Sequence, residues 1–261
     1  LHVKVRGLQV HGTDQDAALG GQRVAVNLAG VDVNSLNRGD TLVTQGGLEA
    51  SRCFDATLNL LSGARALRHG SRVRCHIGTT EVMARVALGP RRGSSGVEHR
   101  SASTSEIKFL DTLEPGADAF VRVRLERSAV VTRGDCFVLR AYSPTVTIAG
   151  GKVLDPVPPR GRFRSRLGVV RLQNLSDWTG GSNAALTAMV KEAGPGGLEQ
   201  AAAARRLGLV RTELREIVES MVSVEGILSV GELLVASSHV NAVRKQIVAA
   251  VGAFHAEHPL E

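Results

Sequence analysis

One pattern of turn and strand residues occurs twice in this chain. Gly21-Gln22-Arg23-Val24-Ala25-Val26 leads to Arg38-Gly39-Asp40, and Gly116-Ala117-Asp118-Ala119-Phe120-Val121 leads to Arg133-Gly134-Asp135. Glycine and arginine stand 17 residues apart in both copies, and the copies are offset by 95 residues (Gly21 to Gly116, Arg38 to Arg133). At that offset Val24, Val26 and Val43 fall on Ala119, Val121 and Val138. A strand turns successive side chains to opposite faces, so a slip of one residue would invert every one of them. Agreement of turns and apolar phase together therefore predicts two related β units in tandem. A looser echo links Val3–Val10 to Val82–Leu88.

The rest of residues 1–155 fits this reading. Val3, Val5, Leu8 and Val10 share a face around a kink at Gly7. Val24, Val26 and Leu28 alternate with Arg23, Ala25 and Asn27, and Val121, Val123 and Leu125 alternate with Arg122, Arg124 and Glu126. Such period-two runs predict antiparallel sheets with one buried face, and small sheets of this kind close into barrels to remove their edges. The insert Arg91–Glu106, rich in Arg, Ser and Gly, is expected to be a mobile surface loop. Arg-Gly-Asp read alone suggests cell adhesion. Its matched position in the two copies favours a turn entering a strand.

Beyond Asp155 the pattern changes. Pro156, Pro158, Pro159, several arginines and Gly180-Gly181 mark a linker. Ser182 is expected to cap a helix through Ala185, Leu186, Met189 and Val190, stopped by Gly194-Pro195-Gly196. A second helix is expected over Leu198–Leu207, and a third behind a Thr212 cap with Leu214, Ile217, Val218 and Met221. Val224–Val235 reads as a hairpin. His239–His255 reads as a closing helix with Val240, Val243, Ile247, Val251 and Phe254 turned inward. Three helices and a hairpin make the winged-helix order. The expected organisation is a partial barrel over 1–50, a barrel over 51–158, a basic linker over 159–181 and a winged helix over 182–261. The fold class is thus multidomain, mainly β and then α.

Charge narrows the function. The net charge is +7. Residues 1–160 carry 21 Lys/Arg against 15 Asp/Glu, whereas residues 172–261 carry 7 against 10. Residues 161–171 add Arg162, Arg164, Arg166 and Arg171 with no acid. A polyanion partner would therefore meet the β half and the linker. Only 3 % of residues are aromatic, so nucleic-acid recognition would run through shape and backbone rather than stacked bases. No apolar run is long enough to span a bilayer. Cys53, Cys75 and Cys136 form no C-x-x-C pair, and His69, His76 and His99 lie at no ligand spacing, so no metal is expected. These thiols suit a reduced, cytoplasmic compartment. No G-x-x-x-x-G-K-[ST] loop occurs, so this chain is not expected to hydrolyse nucleotides. It opens in strand-like sequence at Leu1 and stops after a helix, and so reads as part of a longer protein.

Several phrases carry a resemblance. Val5-Arg6-Gly7-Leu8-Gln9-Val10-His11, Gly21–Gly30 and Arg38-Gly39-Asp40 resemble the second domain of the selenocysteine-specific elongation factor (SelB) family. His76-Ile77-Gly78-Thr79, Arg85-Val86 and Val138–Pro156 resemble its third domain. The resemblance implies tandem elongation-factor barrels and a winged helix. It further implies contact with selenocysteinyl-tRNA and the ribosome, with GTP and Mg bound by a domain not in this chain. The mRNA hairpin (SECIS) would be read by winged helices also outside it. Arg23 is implied to face the selenocysteinyl group, because a guanidinium favours a selenol ionised at neutral pH over an uncharged serine hydroxyl. Arg65, Arg68, Arg72, Arg74, Arg85, Arg91 and Arg92 are the candidates for tRNA phosphates. Two other readings stay open: a winged-helix transcription regulator on DNA, and a scaffold without an RNA role. The expected recognition helix, Thr212–Glu219, carries three acids against one arginine. Its charge opposes contact with phosphates and favours a spacer.

Overall fold

The computed structural model describes residues 1–45, 47–92, 107–161, 163–222 and 226–258. It divides into two compact units, Leu1–Asp40 and Thr41–Glu261. Most of the Arg91–Glu106 insert, together with Arg162, Val224 and Glu225, lies outside the described residues.

In the first unit β1 (Lys4–Val10), β2 (Thr13–Gln15) and β3 (Val24–Ala29) form an antiparallel sheet in the order β2-β1-β3. The register slips between Val5 and Gly7, at the expected kink. The expectation of a buried face on β3 does not hold. Val26 is 39 % exposed, Val5 is 42 % exposed, and no described residue before Phe54 is buried. Three strands cannot wrap around a core, so their apolar side remains open.

The second unit begins with β4 (Ala50–Leu60), β5 (Leu67–Arg68), β6 (Arg72–Ile77), β7 (Thr80–Arg91), β8 (Thr112–Leu113), β9 (Asp118–Val130), β10 (Cys136–Ala141) and β11 (Thr147–Asp155). Six of these close into an antiparallel barrel, β10-β11-β4-β9-β7-β6, and β5 pairs with β8 beside it. Alternate residues fill the interior: Phe54, Ala56, Leu58 and Leu60 from β4, Val82, Ala84, Val86 and Leu88 from β7, and Ala119, Val121, Val123 and Leu125 from β9. Phe54 meets Phe137 edge-on, with ring centroids 5.2 Å apart.

Both Arg-Gly-Asp segments are turns, built alike. Asp40 N–H donates to the Asn37 carbonyl at 3.0 Å, and the Asp40 carboxylate accepts from Asn37 N–H at 2.7 Å. Asp135 repeats both bonds with Thr132, at 3.2 and 2.7 Å. Gly39 and Gly134 sit at φ 100° and 93°, where a Cβ is strained. The likeness stops there, because Val138 lies in β10 and Val43 lies in no strand.

The remainder comprises α1 (Arg166–Ser176), α2 (Gly181–Ala193), β12 (Leu198–Glu199), α3 (Gln200–Leu207), α4 (Arg211–Val222), β13 (Ile227–Val230), β14 (Leu233–Ala236) and α5 (Ser237–Glu257). The small sheet runs β12-β14-β13, completing a winged-helix topology. Four local expectations need correction. Part of the supposed linker is α1, capped by Ser165, whose hydroxyl accepts from Gly168 N–H, and anchored by buried Val169, Leu172 and Leu175. Leu198 and Glu199 are a strand paired with Leu234 and Leu233 rather than the first residues of a helix. Neither Ser182 nor Thr212 is a cap: α2 starts at Gly181, and Thr212 lies inside α4, where Glu213 accepts from Val210 N–H at 3.0 Å. Last, the apolar stripe of α5 faces outward, with Ile247 58 % and Phe254 60 % exposed and no residue of the helix buried.

The helical core continues onto the barrel's outer surface. Ala87, Phe120 and Leu154 point out of the barrel and pack with Phe163, Leu172, Leu175 and the interior of the winged helix. Gly89 keeps this contact close, since a Cβ there would lie 2.9 Å from the Phe120 carbonyl and 3.2 Å from the Phe163 ring.

Candidate nucleic-acid interface

Strand alternation fixes which barrel residues reach solvent. On β6, Val73, Cys75 and Ile77 point inward, leaving Arg72, Arg74 and His76 outside. Inward Ala84 and Val86 leave Arg85 outside on β7, and inward Val123 and Leu125 leave Arg124 outside on β9. The register aligns these positions. Arg72 is the cross-strand partner of Arg85, and Arg85 of Arg124. With strands about 4.8 Å apart, the three side chains form a row about 10 Å long. A second pair, Arg74 and Arg140, spans β6 and β10. Arg127 adds another cation, donating to the Glu81 carbonyl at 3.3 Å.

Two carboxylates stand among these six arginines. Glu126 grips Arg72 through both oxygens, each at 2.7 Å, and Glu81 holds Arg74 at 2.7 Å. The hydrogen bond from Arg72 holds the Glu126 carboxyl below its usual range, and that from Arg74 does the same for Glu81. Pairs this exposed add little stability, but they fix the two guanidiniums. Arg85 and Arg124 form no ion pair among the described residues; Arg85 donates weakly to the Gly70 carbonyl at 3.4 Å. Arg85 and Arg124, side by side on a rigid sheet and without an ion pair, are suited to neighbouring phosphates.

The seven candidates for tRNA contact do not all meet. Arg72, Arg74 and Arg85 come together. Arg65, in the turn after β4, and Arg68, on β5, are exposed in the region of the β5–β8 pair. Arg91 closes β7 six residues beyond Arg85, about 20 Å along an extended strand, and Arg92 follows it. Arg23 is exposed directly ahead of β3 in the other unit. Arg124, Arg127, Arg140 and Tyr142 were missed, because only the strand register places them beside Arg72.

A family model for the β-barrel domain of the selenocysteine-specific elongation factor matches residues 54–160, the span of the barrel. The barrel belongs to the selenocysteine-specific elongation factor family. The chain is 35 % identical over 196 residues to the selenocysteine-specific elongation factor of Desulfomicrobium baculatum, a match covering 75 % of this chain and 27 % of the relative. The chain thus spans about a quarter of that relative's length. Its fold is also similar to the crystal structure of a bacterial selenocysteine-specific elongation factor, EF-Sec. There the TM-score is 0.64 and the identity 20 %, over 94 % of this chain and 34 % of the other.

The selenocysteine-factor barrel carries a second polar site, buried where the helices meet it. Asp55 on β4 takes both Arg122 of β9, at 2.6 and 2.9 Å, and Arg171 of α1, at 2.7 Å. Asp155, ending β11, takes Arg171 and, at 2.6 Å, Arg206 of α3. Glu192 of α2 joins Arg171 at 2.9 Å and Arg206 at 3.2 Å. Three arginines thus balance three carboxylates. The assignment of Arg171 to a basic surface is therefore corrected: it is buried and fully paired. Burial pushes the Asp155 carboxyl upward, but Arg206, Arg171 and the Val157 N–H outweigh it and hold the group below the usual aspartate range.

Arg133 of the second Arg-Gly-Asp turn also works at this junction. It donates to the carbonyls of Leu154 at 2.6 Å and Leu175 at 2.7 Å, tying β11 to the end of α1, and lies 4.2 Å from the centre of the Trp178 ring. Burial lowers its pKa to about 10, still well above neutrality. Arg133→Ala should cost about 1.5–3 kcal/mol by removing a charged donor from two carbonyls. Thermal unfolding followed by Trp178, the chain's one tryptophan, checks this.

Proposed function

We propose that this chain is the tRNA-binding and spacer portion of a selenocysteine-specific elongation factor, which brings selenocysteinyl-tRNA to the ribosome at recoded UGA codons in the cytoplasm. The observation that carries the reading is the Arg72–Arg85–Arg124 row on a barrel of this family. Binding of GTP and Mg, and recognition of the mRNA hairpin, are assigned to segments outside these residues. Arg23, exposed beside the sheet of the first unit, is assigned to the selenocysteinyl group.

The winged helix is assigned as a spacer. Exposed Glu216 and Glu219 stand on α4, and Arg215 is drawn toward Glu219 at 3.5 Å, so this face offers phosphates little attraction. The rival reading, a DNA-bound regulator, requires a salt-sensitive DNA complex, which this charge disfavours.

The test is retention of selenocysteinyl-tRNA and seryl-tRNA by the full-length factor. Arg85→Ala with Arg124→Ala should weaken both equally, because phosphates carry no aminoacyl information. Arg23→Ala should reduce the preference for selenocysteinyl-tRNA. Unchanged binding in the double variant removes the barrel from the tRNA site, and an unchanged preference removes Arg23 from the pocket.

A further inference from the structure

We propose that Tyr142, with Arg72 and Arg74, forms a stacking seat for an unpaired RNA base at the edge of the arginine row. This rests on the RNA-binding reading above and adds to it one contact with a base. Tyr142 is the chain's one tyrosine. It follows β10 on the outer face and is 53 % exposed, so it contributes little to any core. The Arg72 guanidinium lies 5.3 Å from its ring centre and that of Arg74 5.8 Å.

The carboxylates make this cluster rigid. Glu126 and Glu81 hold the two guanidiniums in place and take up much of their charge. What remains available is planar surface, and both phenol rings and guanidinium planes stack on bases. Arg140, across the strands from Arg74, is held in turn by the Thr145 carbonyl at 2.6 Å. A base stacked inside a duplex cannot reach such a seat, so the ligand is a single-stranded tail, bulge or loop. Phosphates of the adjoining helix would lie along Arg85 and Arg124.

The probes are an RNA hairpin with a short unpaired 3′ tail carrying 2-aminopurine and the same hairpin without a tail, each titrated with the 261-residue chain. Wild type should bind the tailed RNA more tightly and quench its fluorescence. Tyr142→Ala should weaken tailed binding about 5- to 150-fold, leaving the tailless affinity and the salt dependence unchanged. Tyr142→Phe should behave as wild type. If Tyr142→Ala keeps the tail preference and the quenching, the seat is wrong while RNA binding stands. If wild type binds neither hairpin, the RNA reading falls and the seat with it.

Discussion

Asp155→Ala should lower the unfolding free energy of the second unit by about 3–5 kcal/mol, because it strands Arg171 and Arg206 in a buried site. For a unit of this size that corresponds to a midpoint fall of roughly 6–20 °C. Trp178 stands on Arg133 and Lys152 at the same junction, so its fluorescence should report the loss. Acid should act through the same carboxylate. Its folded pKa lies below the ordinary 3.8, so its contribution is complete above about pH 5 and is lost as pH falls through 3.8 toward the folded value. Asp155→Ala should therefore also blunt the acid sensitivity of the midpoint. A variant within about 1 kcal/mol of wild type would mean that water enters the cluster and screens it.

Gly151→Ala should be nearly as damaging, for a steric reason. Gly151 lies on β11 across from Leu58 on β4 and Phe137 on β10. A Cβ there would overlap the Thr57 carbonyl oxygen and stand 2.7 Å from the Phe137 ring. The obstacle is backbone in a closed barrel and cannot swing aside. We expect a loss of about 3 kcal/mol or more, at the upper end for overpacked cores, read by chemical denaturation. Phe137→Leu would relieve the ring contact but not the one with Thr57, so the double variant should recover only part of the loss.

The barrel was legible because one face of each strand is always inside. Val121, Val123 and Leu125 announced that face, whereas the matched Arg-Gly-Asp segments announced two like turns and not two like barrels. What lies over the other face was not legible. Arg122 and Arg124 share an outward phase and a residue type. One is buried on Asp55 beneath α1, and the other faces solvent in the arginine row. Only the position of α1 separates them. That helix was itself hidden, since prolines and arginines masked the spacing of Val169, Leu172 and Leu175. The same limit applies to α5, whose apolar stripe predicted a helix correctly but carried no information about what covers it. Tyr142 was passed over because aromatic scarcity describes the whole chain, whereas stacking depends on where one ring stands.

The row across β6, β7 and β9 is proposed to bind RNA phosphates. The most direct measurement is tRNA affinity against salt concentration, for the wild-type chain and for Arg85→Ala with Arg124→Ala. Each lost phosphate contact should reduce the slope of log K against log salt by about one, so the double variant should be shallower by about two. Equal slopes and equal affinities would contradict the account.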